Sequence, residues 1–215
     1  MITIAKIVVE MLYGDEVARE ALSAGVLNLS AYAKKIKSKI DARLYKDVRL
    51  GSIVTAISRL ANIAHKVPSL KTSVRIEDMS IKSPLCELAY EKTKDVGNTI
   101  SKLGTKYSGQ GFFTATYGIG EITLIAAQSF KVDIMREVSV KPKGQYDNLA
   151  AITVRFAESE YIEVPNMIYT LVSALAVKRI NLIEIVSTYT EISFIVRQAD
   201  MKEVVEVFKT NFLNA

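Results

Sequence analysis

The sequence predicts an α+β fold in which a helical N-terminal region precedes two copies of one small unit of strands and helices. Three observations support this fold class. Apolar residues recur at helical spacing throughout residues 1–68. Beyond that point, alternating strand patterns lie between helical ones. One segment of this region also recurs 70 residues later. The predicted domains are therefore residues 1–68, 71–143 and 147–215.

Composition places the chain among ordinary globular proteins. Of its 215 residues, 49% are hydrophobic and 24% are charged, and no apolar run approaches the roughly 18–20 residues that a membrane span needs. The N-terminus lacks the features of a signal peptide. One cysteine and one histidine exclude an internal disulfide and argue against a transition-metal site. We therefore expect a cytoplasmic protein without a membrane partner, a bound metal or a cofactor.

Four helices are predicted in the N-terminal region. Their apolar stripes run through residues 4–12, 15–22, 30–44 and 47–64, with Ser30 as the expected N-cap of the third helix. Pro68 ends the region, because proline cannot continue a helix.

The last two of these helices resemble a winged-type helix-turn-helix, in which arginine and small polar residues of the second helix enter the major groove. The net charge of +5 matters for such a role only where the charge clusters. The predicted DNA contacts are Lys34, Lys35, Arg49, Ser52, Thr55 and Arg59. The alternative is a helical scaffold or dimerisation arm, because any small amphipathic bundle has a polar outer face.

The internal repeat defines the first copy of the sheet-and-helix unit. Residues 121–128 read Glu-Ile-Thr-Leu-Ile-Ala-Ala-Gln, and residues 191–198 read Glu-Ile-Ser-Phe-Ile-Val-Arg-Gln. Upstream of the first of these segments we predict a strand at 73–79, a helix at 83–103 that starts near Pro84, and a strand at 111–117. Residues 118–120 form the turn before the repeated strand, and residues 141–148 connect the two copies.

The second copy starts with a strand at 149–156. A helix then runs from Pro165 to Arg179, followed by strands from Asn181 and at 191–196 and a helix at 200–212. Too few residues remain for a final strand, so the strand at 149–156 is expected near an unprotected edge. A homodimer is the expected means of covering that edge.

Three segments of the second copy carry a family resemblance. They are Val164-Pro165-Asn166-Met167, then the run from Leu175-Ala176 to Ile180-Asn181-Leu182, then Val186-Ser187 with Glu191-Ile192-Ser193-Phe194-Ile195-Val196. They resemble the ACT domain, the amino-acid-sensing module, and in particular the paired ACT domains of aspartokinases. Asn166 stands where that family has glycine, and asparagine tolerates unusual backbone angles better than most residues. The resemblance implies two ferredoxin-like ACT modules of βαββαβ order.

The resemblance also implies an amino-acid effector at the interface between modules. Backbone N–H groups at the helix start suit a carboxylate, Glu163 suits an ammonium group, and the Asn181 amide suits either end. The implied ligand-binding residues are Ile162, Glu163, Val164, Pro165, Asn166, Met167, Ile168, Asn181, Leu182 and Ile183.

No catalytic constellation is present in the sequence, and residues 1–68 are too few and too helical to replace the kinase domain that accompanies aspartokinase ACT pairs. The sequence therefore predicts a non-enzymatic, amino-acid-responsive regulator with DNA as a candidate partner. The alternatives are a regulatory or interaction subunit of an amino-acid biosynthetic enzyme, and an ACT pair that only assembles.

Overall fold

The structure is a computed structural model that describes residues 3–62, 69–157 and 163–213. The chain divides into two compact units, residues 1–72 and residues 73–215. Pro68 and Ile162, which carried predictions, lie outside the described residues. Among the described residues, no helix is both long and apolar enough to cross a membrane.

The described residues of the first unit form four α-helices. They are α1 (Ile4–Tyr13), α2 (Glu16–Ser23), α3 (Leu29–Leu44) and α4 (Leu50–Asn62). Side chains of Thr3, Asp15 and Asn28 accept hydrogen bonds from the first turns of α1, α2 and α3. The prediction that Ser30 caps the third helix is therefore wrong, since Asn28 takes that role two residues earlier. One apolar cluster, which includes Ile7, Ile40 and Ile57, joins the four helices.

The second unit is an α+β structure built on one antiparallel sheet. In chain order its elements are β1 (Asp78–Glu91), α5 (Lys94–Lys106), β2 (Phe113–Tyr117), β3 (Glu121–Ala127), α6 (Lys131–Val138), β4 (Gly144–Arg155), α7 (Met167–Val177), β5 (Leu182–Ser187), β6 (Glu191–Arg197) and α8 (Met201–Phe208), which continues as a π-helical turn (Lys209–Leu213). The strand order across the sheet is β2-β3-β1-β4-β6-β5. The α+β class is therefore confirmed.

The two halves of the sheet repeat one arrangement. The first half (β1 to α6) and the second half (β4 to α8) each run strand, helix, strand, strand, helix. The two halves pair equivalent strands: Leu88 pairs with Leu124 across β1 and β3, and Ile152 pairs with Phe194 across β4 and β6. The 70-residue offset holds for β3 and β6, whereas Ile152 follows Leu88 by 64 residues (152 − 88). The turn predicted at 118–120 is confirmed, and residues 188–190 form its counterpart.

Two predictions for the first half are wrong. Residues 83–91 belong to strand β1 rather than to a helix starting at Pro84, and α5 begins at Lys94. Both faces of β1 are covered here, with Leu85 and Leu88 on opposite sides, so its apolar spacing imitates that of a helix. Likewise, most of the predicted connector 141–148 forms the start of β4, because its polar residues gain backbone partners on β1.

The halves complete each other by sharing strands. Residues 78–82 of β1 pair with residues 151–155 of β4, beside β6, whereas residues 144–149 of β4 pair with residues 85–89 of β1, beside β3. Each half thus receives, from the first strand of the other half, the fourth strand that its own described residues do not supply. The edge predicted to be unprotected at 149–156 is therefore covered within one chain.

Helices and strands enclose a separate apolar core in each half. The first core includes Leu88, Ile100 and Ile134. The second includes Ile152, Phe194 and Phe208, and it also takes in Val74 and Ile76 from the segment before β1. The predicted strand at 73–79 is thus an extended segment that packs on the second half, and only its last two residues belong to β1.

The other face of the sheet, here called the inner face, carries its own apolar cluster. Leu85 and Ile125 come from the first half, and Leu149, Ala151 and Ile195 come from the second. All five are at most 1% exposed, although no helix residue belongs to this cluster among the described residues. Pairing is irregular between Lys82 and Glu87, where β1 passes from one half to the other. Buried residues of both halves therefore form one cluster on the inner face.

Candidate functional site

The start of α7 contains most of the predicted ligand-binding residues. Asn166 is the residue before the helix and has a left-handed backbone, with φ of 64°. Its side chain makes no capping hydrogen bond, whereas its carbonyl accepts from the backbone N–H and the hydroxyl of Thr170. Pro165 was predicted to open the helix but lies in the preceding turn, because Met167 is the first helical residue.

The side chains at this helix start have different environments. Glu163, Pro165 and Asn166 are exposed, and Ile168 is 48% exposed. Met167 is buried in the second core, and Val164 packs against that core. The exposed members are available to a ligand, whereas Met167 stabilises the fold.

The start of β5 contains the remaining predicted residues. Asn181 is exposed, Leu182 packs on the second core, and Ile183 packs on the inner-face cluster. Asn166 and Asn181 lie at opposite ends of α7, which spans 11 residues and is thus about 16 Å long. One chain therefore does not bring the two groups of predicted ligand-binding residues together.

The outer surface between these ends is unusually apolar. Ile168, Val172 and Ala176 follow each other at helical spacing on α7, where Ile168 and Ala176 are exposed and Val172 is half-buried against the second core. Val177 is 76% exposed. Strand β5 pairs only with β6 in the sheet, so its other edge has no strand partner among the described residues. Ile185 on this strand is 39% exposed. An apolar helix face and an open strand edge thus lie next to the predicted site.

The residues predicted to contact DNA form two separate groups. Arg49 directly precedes α4, and Ser52, Thr55 and Arg59 lie along one exposed face of that helix. Together with Thr3 and Ile4 they line a cleft of about 830 Å³. Lys35 instead lies near the start of α2, where its Nζ is 2.6 Å from the carboxylate of Asp15. Lys34 is exposed on α3. Because Lys34 and Lys35 lie apart from Arg49 and Arg59, the basic surface at α4 is smaller than the six-residue surface that the sequence predicted.

Two carboxyl groups on the inner face were not identified from the sequence. Glu87 lies on β1 and Glu184 on β5, and both are half-buried. Burial and, secondarily, the charge of Glu184 raise the pKa of Glu87 to about 7. The sequence feature that could have identified Glu87 is its position within the apolar run from Leu85 to Leu88. No group of three or more potential metal ligands occurs in the described part of the chain.

Comparison with known proteins supports the fold assignment. No family model matches the chain, and no curated protein matches it. Among solved structures, the ligand-free regulatory subunit of aspartate kinase from Thermus thermophilus matches with a TM-score of 0.51 at 8% identity, over 64% of this chain and 99% of that subunit. The fold of the second unit thus matches ACT-like regulatory domains.

Two complete kinases show the same likeness. The aspartate kinase of Clostridium acetobutylicum, described as an allosteric enzyme, matches with a TM-score of 0.53 at 14% identity, over 66% of this chain and 36% of the kinase. That of Synechocystis matches with a TM-score of 0.52 at 12% identity, over 77% of this chain and 32% of the kinase. The chain thus spans about a third of the length of these kinases. At such identities the likeness shows the fold alone.

Proposed function

We propose that this protein is a non-enzymatic, amino-acid-responsive regulator, and that two copies pair along α7 and β5 to form its effector site. The observation that carries the proposal is the exposed apolar face of α7 between two groups of exposed polar residues. The likeness of this protein's fold to regulatory parts of aspartate kinases supports the same role.

A two-fold axis through the middle of α7 would make this surface complementary to itself. In an antiparallel pairing about Val172, the large side chain of Ile168 faces the small Ala176 of the second copy. The same operation brings the Asn166 end of one helix to the Asn181 end of the other. Two effector sites result, each with contributions from both copies.

The chemistry of such a site suits an α-amino acid. Backbone N–H groups in the first turn of α7 have no helical partners, and together with the helix dipole they favour a carboxylate. The exposed carboxylate of Glu163 suits the ammonium group, and the Asn181 amide of the second copy hydrogen-bonds either end. Exposed Ile168 contributes apolar contact to the ligand side chain.

A thermal-shift screen of the full chain against the 20 common amino acids tests the proposal. At least one amino acid at about 100 times its dissociation constant should stabilise the fold by about 2.7 kcal/mol, because only the folded state binds. Glu163→Gln and Asn181→Ala should abolish that response, whereas Asn98→Ala on the outer face of α5 should preserve it. A melting temperature unchanged by all 20 amino acids would contradict effector binding and favour an ACT pair that only assembles.

A second proposal is a regulatory subunit of an amino-acid biosynthetic enzyme. The match over 99% of a separate regulatory subunit favours it. Immobilised protein, with and without the amino acid found in the screen, would be tested against purified aspartate kinase catalytic chains. An effector-dependent change in kinase activity would support this role, and the absence of both binding and inhibition would contradict it.

DNA binding through α4 is a third proposal, for which the exposed row of Arg49, Ser52, Thr55 and Arg59 is the supporting feature. Titration with duplex DNA of random sequence at about 50 mM salt tests it, because phosphate contacts are strongest at low salt. Arg49→Ala with Arg59→Ala should weaken binding, whereas Lys46→Ala should have little effect. No binding at low salt would exclude a DNA-binding role.

A further inference from the structure

A cleft of about 500 Å³ lies in the second half, between the end of α7 and α8 with its π-helical turn. Its polar lining residues are Lys178, Lys202, Glu203, Glu206, Thr210 and Asn211. Small-molecule sites usually measure roughly 300–1,000 Å³, and π-helical turns occur frequently at functional sites. None of the described lining residues belongs to the effector site proposed above. The cleft is thus a separate place for a small ligand.

Two positions of this cleft have counterparts in the first half. Lys178 is the residue directly after α7, as Tyr107 is the residue directly after α5. Glu203 is the third residue of α8, as Asp133 is the third residue of α6. The two halves can therefore be compared at the same place in the fold.

In the first half, aromatic rings and ion pairs fill that place. Tyr107 stacks on Phe130 with ring centroids 4.0 Å apart, and its hydroxyl donates a hydrogen bond to Asp133. Lys106 and Arg136 also pair with the Asp133 carboxylate, whose side chain is only 22% exposed. These contacts satisfy the charged groups of the first half within the chain.

In the second half, the same place is open. Asp200 stands where the 70-residue offset would repeat the phenylalanine of the first half. The Nζ atom of Lys178 lies 3.9 Å from Glu203, at the outer limit of an ion pair, and both side chains are about half exposed. Lys202 and Glu206 are exposed and form no ion pair within the part of the chain that the structure describes. Charged groups of both signs are thus available to a ligand.

The arrangement of these groups favours a zwitterion. Two lysines and two glutamates line the cleft, so their charges balance and favour neither a lone anion nor a lone cation. Lys202 and Glu206 are four residues apart on α8, which is about 6 Å along the helix axis. The Nδ2 atom of Asn211 donates to the carbonyl of Val207 over 2.7 Å, which leaves Oδ1 to accept from an ammonium group.

We propose that this cleft binds a small elongated zwitterion, with its carboxylate between Lys178 and Lys202 and its ammonium group beside Glu206 and Asn211. Buried Val207 provides apolar contact for the methylene groups between the two charges. An α-amino acid carries both charges on one carbon atom and matches the separation of Lys202 and Glu206 less well. This site does not depend on the proposed function.

Titration calorimetry of the full chain with ε-aminocaproate tests the proposal, because this probe has an ammonium group and a carboxylate at opposite ends of a methylene chain. The wild-type protein should bind it. Caproate and hexylamine, which each carry one of the two charges, should bind about tenfold more weakly. Lys202→Gln and Glu206→Gln should each raise the dissociation constant of the probe about tenfold, because each removes one charge-assisted hydrogen bond.

Three further variants make the test specific. Lys209→Gln removes an exposed lysine of the π-helical turn that lines a different cleft and should bind the probe like the wild type. Glu163→Gln, in the proposed effector site, should also leave probe binding unchanged, so that the two proposals fail separately. Lys178→Tyr introduces the residue of the first half and should block the probe.

All the substituted side chains are exposed, so the variants should fold like the wild type. Four results would each overturn the zwitterion site. They are no binding of ε-aminocaproate to the wild type, equal binding of caproate or hexylamine, an equal loss in Lys209→Gln, and full binding by Lys178→Tyr.

Discussion

The first and second halves of the sheet unit share one order of elements but differ in the surfaces of their first helices. Helix α5 exposes Lys94, Asn98 and Lys102, whereas α7 exposes Ile168, Ala176 and Val177. The side chain of Thr93 caps α5, and no side chain caps α7. A duplicated unit thus keeps its core pattern in both copies, while only the second copy has an exposed apolar surface on its first helix.

The largest expected effect comes from the cores, where the halves are equivalent. Leu88→Ala and Ile152→Ala remove fully buried side chains at corresponding positions, and each should lower the free energy of unfolding by about 2–5 kcal/mol. Because β1 and β4 take part in both halves, each variant should unfold in one transition by chemical denaturation. Val132→Ala, which is 79% exposed, should stay within about 0.5 kcal/mol. Two separate transitions would show that the halves are independent.

The outer helix faces provide the next contrast. Ile168→Glu places a charge in the proposed interface and should raise the dimer dissociation constant about tenfold or more, measured by sedimentation or light scattering. Lys102→Glu makes a charge change on α5 and should leave self-association unchanged. Equal effects of the two substitutions would mean that α7 is not the contact surface.

A partly buried pair of hydroxyl groups distinguishes the halves on the inner face. Thr153 and Ser193 lie 2.7 Å apart, oxygen to oxygen, whereas the corresponding pair in the first half is Ala89 and Thr123. Thr153→Ala leaves the Ser193 hydroxyl without this partner and should cost about 1–2 kcal/mol by thermal unfolding. Adding Ser193→Ala should recover part of that loss. Thr123→Ala is the control and should cost less than Thr153→Ala.

The smallest expected difference in stability is between substitutions at the starts of α5 and α7. Thr93→Ala removes the N-cap hydrogen bond of α5 and should cost about 1 kcal/mol of stability. Asn166→Gly should stay within about 0.5 kcal/mol, because glycine accepts the left-handed backbone and the side chain makes no capping bond. Urea unfolding of both variants checks this contrast. A larger loss for Asn166→Gly would assign its side chain a stabilising contact.

Local sequence patterns predicted most elements whose two faces differ. Strands β3 and β6, the turn at 118–120 and helices α7 and α8 were predicted from alternation, helical spacing and the repeat. The exposed ligand-binding candidates Glu163, Asn166 and Asn181 also lie at the predicted helix and strand starts. Only the first two residues of β1 were predicted as strand. Side chains on both faces of its later part are buried, and the resulting pattern of apolar residues resembles that of a helix.

By itself, the sequence determined the class of fold, the duplicated unit and the residue types at the helix starts, since these depend on spacing along the chain. Only the tertiary structure decided that β1 and β4 pair, which covers the predicted open edge. The structure also decided that the charge of Glu184 contributes to the raised pKa of Glu87, although the two residues lie nearly a hundred positions apart in the chain. Strand pairing and charge interactions depend on distances in space, which residue spacing alone does not specify.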